Sequence, residues 1–313
     1  MMMRNIKYLS LLTMLLCCLN GHAQSKILFS RSSGVLNSGG TLDLMVYDPA
    51  NETTKLLMKG TVSRRGEYNP ATSPDGQYLV FNTYRFSGWK LGIGKLKGGK
   101  VTDIKKLTNR SNYEYEARFS PNGSKIAYQE FNWSTRDTDI FIADKNGKNA
   151  IHFVKSDGGD RTPHWTQDGQ SIVFTSGRKN SYSIYIKSLS GTSLNKLTND
   201  SSNDFSPSTS KNENKIAYLS DAGGKINLYT MNLDGSEKTN LTTDLDSGEF
   251  TMNGYEDSGC WAMKTSWSPD GRQIVFNIPY KGNMELFIAN SDGSGIKQVT
   301  KNRDTDMSPY WSN

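Results

Sequence analysis

The strongest constraint on this chain is a short unit that its sequence repeats. In the last full copy the unit reads SWSPDGRQIVF, from Ser266 to Phe276. Every copy joins a serine or threonine, two further residues and, in all but one copy, a glycine to an alternating apolar run. The anchors are spaced 47, 46, 44 and 58 positions apart, and they are Ser73, Ser120, Thr166, Ser210 and Ser268. A period in this range is typical of repeat architectures.

One repeat predicts four antiparallel strands. In the last copy KTSWS predicts a short first strand and RQIVFNI a second, and the turn between them contains Pro269, Asp270 and Gly271. Proline presets φ, aspartate bonds to its own turn and glycine accepts a positive φ, so these residues suit a tight turn. Residues 285–289 predict the third strand and IKQVT the fourth, across a second Asp-Gly turn. No segment shows a sustained helical period, so the sequence predicts an all-β fold.

Four-stranded units at this period are typical of the blades of a β-propeller, whose ring closure removes exposed strand edges. The residues before Ser73 supply a second, a third and a fourth strand but no first strand. The C-terminal sequence SPYWS matches the missing strand. We therefore predict that Ser308–Ser312 pairs beside Lys26–Arg31 and closes one domain of six blades. The predicted blades are 25–60 with the C-terminal strand, 61–108, 109–156, 157–200, 201–245 and 246–301.

The first 24 residues differ from the rest. Arg4 and Lys7 precede the apolar run YLSLLTMLLCCL, and NGHAQ follows it. This order of basic, apolar and small residues is typical of a secretory signal peptide, with cleavage near Ala23 or Gln24. The sequence thus predicts a signal peptide over 1–24, a propeller over 25–313, and a periplasmic or secreted protein. Processing as a lipoprotein at one of the two adjacent cysteines is the alternative.

Charge and cysteine content narrow the function classes. The formal net charge is +6, and loss of Arg4 and Lys7 with the signal peptide leaves about +4. The charges are scattered without a basic run, which argues against a nucleic-acid partner. No stretch after residue 24 is apolar enough to span a membrane. Cys260 is the one cysteine beyond the signal peptide, so neither a disulfide framework nor a cysteine–zinc cluster is expected. We expect a monomer without a cofactor.

The unit P-x-W-S-P-D-G-x-x-I-x-F resembles the PD40, or WD40-like, repeat of TolB-type propellers, over residues 25–313. The resemblance implies six or more blades whose Pro-x-Trp strands line a central channel. The founding member of this family is periplasmic and binds a peptidoglycan-associated lipoprotein through its propeller, which implies a cell-envelope protein as partner. It also carries an N-terminal α/β domain. We expect that domain to be absent here, because the signal runs straight into the first blade, so its translocation role is not carried over.

Prolyl oligopeptidases have a similar propeller but add an α/β-hydrolase domain. The length of 313 residues leaves no room for that domain, and the sequence contains no GxSxG motif. We therefore expect no peptidase of this kind.

The first strand of each blade supplies the side chains that face the predicted channel. If these side chains alternate, one set packs between blades and the other lines the channel. The packing set is Thr72, Phe119, Trp165, Thr209, Trp267 and Trp311. The channel sets are Ala71, Arg118, His164, Ser208, Ser266 and Tyr310 and, two residues earlier, Asn69, Glu116, Thr162, Ser206, Lys264 and Ser308. Polar residues thus converge on one cavity, which is either a ligand site or a wet channel without a ligand.

An acidic ring is predicted one step further along the same strands, at the channel mouth. Its members are Glu67, Glu114, Asp160, Asp204 and Asp306. Five converging carboxylates suit a cation or a basic partner, because like charges raise one another's pKa until something positive intervenes. The alternative is structural: one carboxylate in each inter-blade connection accepts local hydrogen bonds.

The long spacing before Ser268 marks an insertion over 244–261. Loops carry function more often than blades do, and this one adds Tyr255 and Trp261 near the predicted mouth. A calcium ion is the one cofactor that its acids Asp244, Asp246 and Glu249 suggest, although their spacing lacks the twelve-residue loop pattern. The predicted ligand-binding set is therefore Arg118, Glu116, His164, Lys264, Tyr310, Tyr255 and Trp261.

Two function classes follow from these residues. In the first, the propeller is a binding module that recognises an envelope protein or an oligosaccharide through its channel mouth and loops. In the second, it is a carbohydrate-active enzyme such as a polysaccharide lyase, whose β-elimination from a uronate needs a base, a proton donor and a cation. The candidate catalytic residues are His164, Tyr310, Arg118 and Lys264. Propeller lyases that resemble this repeat hold their metal with several histidines, whereas only His152 and His164 follow the signal peptide.

Overall fold

The structure is a computed structural model that describes residues 25–32, 41–62, 65–178, 181–247 and 262–312. These residues form 24 strands and no helix, so no helix among them is able to cross a membrane. The strands make six antiparallel sheets of four strands each, as predicted. The predicted signal peptide, Tyr255, Cys260 and Trp261 lie outside the described residues.

The first three blades take up the N-terminal half of the chain and the last strand. Blade 1 contains β24 (Thr305–Trp311), β1 (Ile27–Ser32), β2 (Leu42–Asp48) and β3 (Thr53–Met58). Blade 2 contains β4 (Glu67–Thr72), β5 (Tyr78–Thr83), β6 (Lys90–Lys97) and β7 (Lys100–Lys106). Blade 3 contains β8 (Tyr113–Phe119), β9 (Lys125–Asn132), β10 (Asp137–Asp144) and β11 (Ile151–Val154).

The other three blades follow in chain order. Blade 4 contains β12 (Asp160–Trp165), β13 (Ser171–Ser176), β14 (Ser183–Ser188) and β15 (Leu194–Lys196). Blade 5 contains β16 (Asp204–Thr209), β17 (Lys215–Ser220), β18 (Asn227–Asn232) and β19 (Thr239–Asn240). Blade 6 contains β20 (Thr265–Trp267), β21 (Gln273–Tyr280), β22 (Asn283–Asn290) and β23 (Lys297–Gln298).

The ring closes where the sequence predicted. Strand β24 pairs antiparallel with β1, with Trp311 opposite Ile27, and Trp311 belongs to the same apolar cluster as Phe29. One residue further on, Ser312 donates its backbone N–H to the carbonyl of Lys26 at 2.8 Å. Blade 1 is therefore built from both ends of the described chain, which is confirmation of the predicted closure.

The repeated turn has the geometry that its residues predict. In the second blade Gly76 has a φ of 69°, and its N–H donates to the carbonyl of Ser73 at 2.8 Å. The Ser73 hydroxyl accepts the N–H of Tyr78 at 2.9 Å, while Asp75 accepts the N–H of Gln77 at 3.0 Å. Serine, aspartate and glycine thus each satisfy one requirement of the turn, which explains why the unit recurs.

Most residues of the second strand of each blade are buried inside the ring. Ile274, Val275 and Phe276 of β21 all have 0% exposure. A blade is covered on both faces by its neighbours, so consecutive side chains of its inner strands are buried alike. This packing explains why the repeat ends in an unbroken apolar run such as IVF.

The first strands of five blades contain a bulge. The ladder is interrupted between Tyr68 and Ala71, for example, and five non-glycine residues at this position have a φ of 51° to 57°. These residues are Asn69, Glu116, Thr162, Ser206 and Ser308. In four of the five, the N–H group does not bond within its own sheet but donates to an acceptor from the neighbouring blade. The acceptors are the side chains of Asn82, Gln129 and Thr175 and the carbonyl of Ala262. The bulge therefore ties one blade to the next.

Candidate functional site

The first strands run toward the repeated turns, and their last residues surround a cavity of about 440 Å³ at that end of the channel. We call this cavity the turn-face pocket. Its lining includes Arg118, His164, Lys211, Ser266, Trp267 and Tyr310. Three of the residues predicted to bind a ligand, Arg118, His164 and Tyr310, are thus brought together from blades 3, 4 and 1.

Tryptophans form the walls between these polar groups. The indole N–H of Trp165 donates to the carbonyl of Arg118 at 3.0 Å, and that of Trp267 donates to the carbonyl of Ser208 at 3.1 Å. Each bond joins the first strand of one blade to that of its neighbour. The predicted packing role of these rings is confirmed, and the same bonds make the wall of the pocket rigid.

Arg118 is buried on the channel side of blade 3. Its guanidinium donates to the carbonyl of Ala117 at 3.0 Å and lies 3.6 Å from a carboxylate oxygen of Glu116. The guanidinium carbon is 5.6 Å from the centre of the Tyr310 ring. The Tyr310 hydroxyl donates to the carbonyl of Thr72 at 3.4 Å, and burial raises the pKa of Tyr310.

His164 is a neutral imidazole in this pocket. Burial lowers the pKa of His164 to about 3, and the nearby charges of Arg118 and Lys211 act in the same direction. All described contacts of the ring involve Nδ1, which lies 3.0 Å from the Thr209 hydroxyl and 3.3 Å from the Thr209 N–H. Nε2 is therefore the nitrogen that remains for a ligand.

Lys211 is the residue of this pocket that the sequence analysis missed. It is exposed at the rim, although the surrounding walls lower its pKa. The five residues that follow the turn anchors all line the pocket, and they are Pro74, Pro121, Gln167, Lys211 and Pro269. A lysine where three copies have proline is a break in the repeat, and that break is a signal for it in the sequence.

Glu116 and Lys264, two further members of the predicted ligand set, lie below the pocket and do not line it, so their place in that set stays a prediction. Lys264 Nζ is 3.1 Å from a carboxylate oxygen of Glu116, and both side chains are buried. Glu116 belongs to blade 3, and Lys264 directly precedes the first strand of blade 6. Because these blades face each other across a ring of six, the ion pair spans the channel axis.

The predicted acidic ring is not at an open channel mouth. Its five carboxylates have 0–4% exposure and point into the wall, where they meet side chains of the same blade or of the connection that precedes it. Glu67 pairs with Arg85 at 2.7 Å, and Asp306 pairs with Arg31 at 2.6 Å. In the other three blades Glu114 accepts from Thr108, Asp160 pairs with Arg178, and Asp204 accepts from Ser202. The bulge explains this correction, because it breaks the side-chain alternation on which the prediction rested.

Glu114 gives this wall a measurable pH dependence. Burial raises the pKa of Glu114 from 4.5 to about 7, so the folded state holds a proton that the unfolded chain releases, and stability falls as pH rises from about 4.5 to about 7. We expect Glu114→Gln, whose amide oxygen still accepts from Thr108, to raise the free energy of unfolding at about pH 8 by about 1–3 kcal/mol. At about pH 4.5 the two proteins should be equally stable.

Urea unfolding at both pH values measures this difference. The exposed Glu213→Gln is the matched control, and its effect should be the same at both values. A gain in the free energy of unfolding that is the same at both pH values for Glu114→Gln would contradict a raised pKa of Glu114.

The described flanks of the insertion lie at the end of the channel opposite the turn-face pocket. Ala262 precedes β20, and β20 runs toward the repeated turn, so Ala262 lies at the other end of the channel. The carbonyl of Ala262 accepts the N–H of Ser308 at 3.0 Å. Asp246 forms an ion pair with Lys225 at 2.5 Å. Among the described residues no three His, Cys, Asp or Glu side chains are grouped as a metal site.

Comparison with known proteins shows the family. A model of the TolB β-propeller domain, PD40, matches residues 16–255, which is well over half of the chain. The chain belongs to the TolB β-propeller family. One relative within it is the Tol-Pal system protein TolB of Francisella tularensis, 30% identical over 122 residues. That match covers 38% of this chain and 27% of the relative, so the chain corresponds to about a quarter of the length of such relatives.

Solved structures agree with this family on the fold. TolB from Acinetobacter baumannii superimposes with a TM-score of 0.74 at 18% identity, covering 92% of this chain and 67% of the other. A putative TolB from Agrobacterium tumefaciens gives 0.67 at 15% identity, covering 92% and 98%. At these identities the likeness extends to the propeller fold alone.

Proposed function

We propose that this chain is an exported binding module and that its turn-face pocket receives a protein partner of the cell envelope. The observation that carries the proposal is the pocket itself, because its polar groups come from all six blades. Tryptophan hydrogen bonds tie the first strands of blades 3 and 4, and those of blades 5 and 6, to each other. A rigid concave site with convergent polar groups and aromatic walls is typical of a binding surface. The basic and apolar character of residues 1–24 supports export.

The family supports a protein as the partner. The name of the Francisella relative assigns it to the Tol-Pal system, and the matching model describes the propeller domain of such proteins. We propose that the propeller of this chain likewise recognises a protein partner. The pocket is the surface that we assign to it.

The residues favour binding over the lyase alternative. A general base is most effective when its pKa is near the working pH, and a pKa of about 3 makes His164 a weak base. Lys264, the fourth residue of the candidate catalytic set, is held in the ion pair below the pocket.

A charge reversal at the rim tests the proposal. We expect Lys211→Glu to lose the envelope protein that the wild-type chain retains from a periplasmic extract, with an affinity lower by about tenfold or more, because a rim charge steers and orients the partner. Lys281→Glu is the matched control, since Lys281 is exposed in the hairpin between β21 and β22 at the opposite end of the ring.

Three results would contradict the proposal. The first is that no protein is retained by the wild-type chain. The second is that both charge reversals weaken retention equally. The third is that incubation with uronate polysaccharides gives the absorbance of unsaturated products and that this signal disappears in His164→Ala.

A further inference from the structure

The lining of the turn-face pocket carries unbalanced charge among the described residues. Its lining contains the cations Arg118 and Lys211 and no aspartate or glutamate. The nearest carboxylate described for Arg118 is that of Glu116, which is 3.6 Å away and is shared with Lys264. Charges in a cavity with low-dielectric walls act more strongly than in water, so such a pocket favours an anion.

Within the described part of the chain, the guanidinium of Arg118 has more N–H donors than acceptors. A guanidinium carries five N–H groups in a fixed fork. One of them donates to the carbonyl of Ala117, and the contact with Glu116 is longer than a hydrogen bond. The side chain is 10% exposed and lines the pocket, so a group that enters the pocket can reach the remaining donors. A carboxylate fits this fork by accepting two parallel hydrogen bonds.

The imidazole of His164 is the uncharged group beside Arg118. The ring is from blade 4, next to Arg118 in blade 3, and both line the same cavity. Its Nδ1 lies 3.2 Å from the carbonyl of Trp165, 3.0 Å from the Thr209 hydroxyl and 3.3 Å from the Thr209 N–H. The neutral ring therefore adds no charge of its own to the pocket and leaves the cations to attract an anion.

We propose that the turn-face pocket recognises a carboxylate of the partner, held by Arg118 with Lys211 as a secondary contact. This inference rests on the proposed function, because it names the chemical group by which the partner enters the pocket. The carboxylate is either an acidic side chain or a free C-terminus, and the two sources share this chemistry.

Peptide probes separate the two sources. The first is N-acetyl-Leu-Glu-Leu-amide, the second replaces its glutamate with glutamine, and the third is N-acetyl-Leu-Gln-Leu with a free C-terminus. Binding at millimolar concentrations is followed by the fluorescence of the pocket tryptophans and by amide chemical shifts. We expect at least one carboxylate probe to bind about tenfold more tightly than the uncharged second probe, because charge-assisted hydrogen bonds are the strong ones.

Variants locate the effect. Arg118→Met should abolish the preference for a carboxylate, and Lys211→Gln, an exposed substitution that does not threaten folding, should reduce it about threefold. Arg272→Met is the matched control, since Arg272 is exposed on the same face but does not line the pocket. It should keep the full preference.

The results distinguish this inference from the proposed function. Equal binding of all three probes, no binding of any, or a preference that survives in both Arg118→Met and Lys211→Gln would overturn the inference. If Arg118→Met retains the envelope protein as well as the wild type does, the inference that a carboxylate binds Arg118 is wrong, while the proposed function stands. Tighter binding of glucuronate than of any peptide would also overturn it, in favour of a sugar acid.

Discussion

Replacement of Trp311 by alanine is expected to lower the free energy of unfolding by about 3–5 kcal/mol, which is the cost of removing a large aromatic side chain from a core. The ring is 4% exposed and packs against Phe29 in the cluster that joins the last strand to the first. Its N–H also donates to the hydroxyl of Ser25 at 3.0 Å. The substitution therefore weakens the seam on which the whole ring depends.

Urea unfolding with tryptophan-independent detection, such as far-ultraviolet circular dichroism, measures this change. Trp133→Ala is the matched control, because Trp133 is 53% exposed in the hairpin between β9 and β10. Its effect should be about 1 kcal/mol or less. Equal losses of the free energy of unfolding for the two variants would mean that Trp311 in the seam stabilises the fold no more than a surface tryptophan does.

The second large effect is expected at the ion pair that spans the channel axis. Glu116→Gln leaves both Lys264 and Arg118 without their shared carboxylate, and breaking a buried pair in this way costs about 3–5 kcal/mol. Lys264→Met should cost less, because Glu116 keeps Arg118. The double variant should be more stable than the sum of the two single effects by about 1 kcal/mol or more.

The same unfolding measurement on all four proteins gives the coupling energy. Lys297→Met serves as the control, since its ion pair with Glu52 at 2.6 Å is exposed and its loss should be close to the limit of measurement. Additive effects of Glu116→Gln and Lys264→Met would show that the two side chains do not interact across the ring.

The sequence predicted the architecture of this chain because its repeat is both local and periodic. The turn at Ser73–Gly76 is determined by its own residues, and the missing first strand before Ser73 required a partner from 308–312. Neither step needed knowledge of long-range packing. Both were confirmed, as was the inter-blade position of Trp165 and Trp267.

The bulge could not be predicted from the same pattern. A positive φ at a non-glycine residue such as Thr162, directly before a proline, contradicts local preference. It is supported by an acceptor 33 positions away, the side chain of Gln129. Tertiary contacts therefore decided the backbone there. The alternation of side chains correctly predicted that Arg118 and His164, which follow the bulge, face the channel. It failed before the bulge, where it placed Glu114 at the channel mouth although this side chain is buried in the wall.

The pair of Glu116 and Lys264 also determines how the propeller can be used. Because these side chains meet across the ring, a molecule that passed from the turn-face pocket to the other end of the channel would have to move past a buried ion pair. The two ends of the channel are then separate surfaces. A molecule in the turn-face pocket contacts the last residues of the first strands, whereas the hairpins between second and third strands lie at the other end.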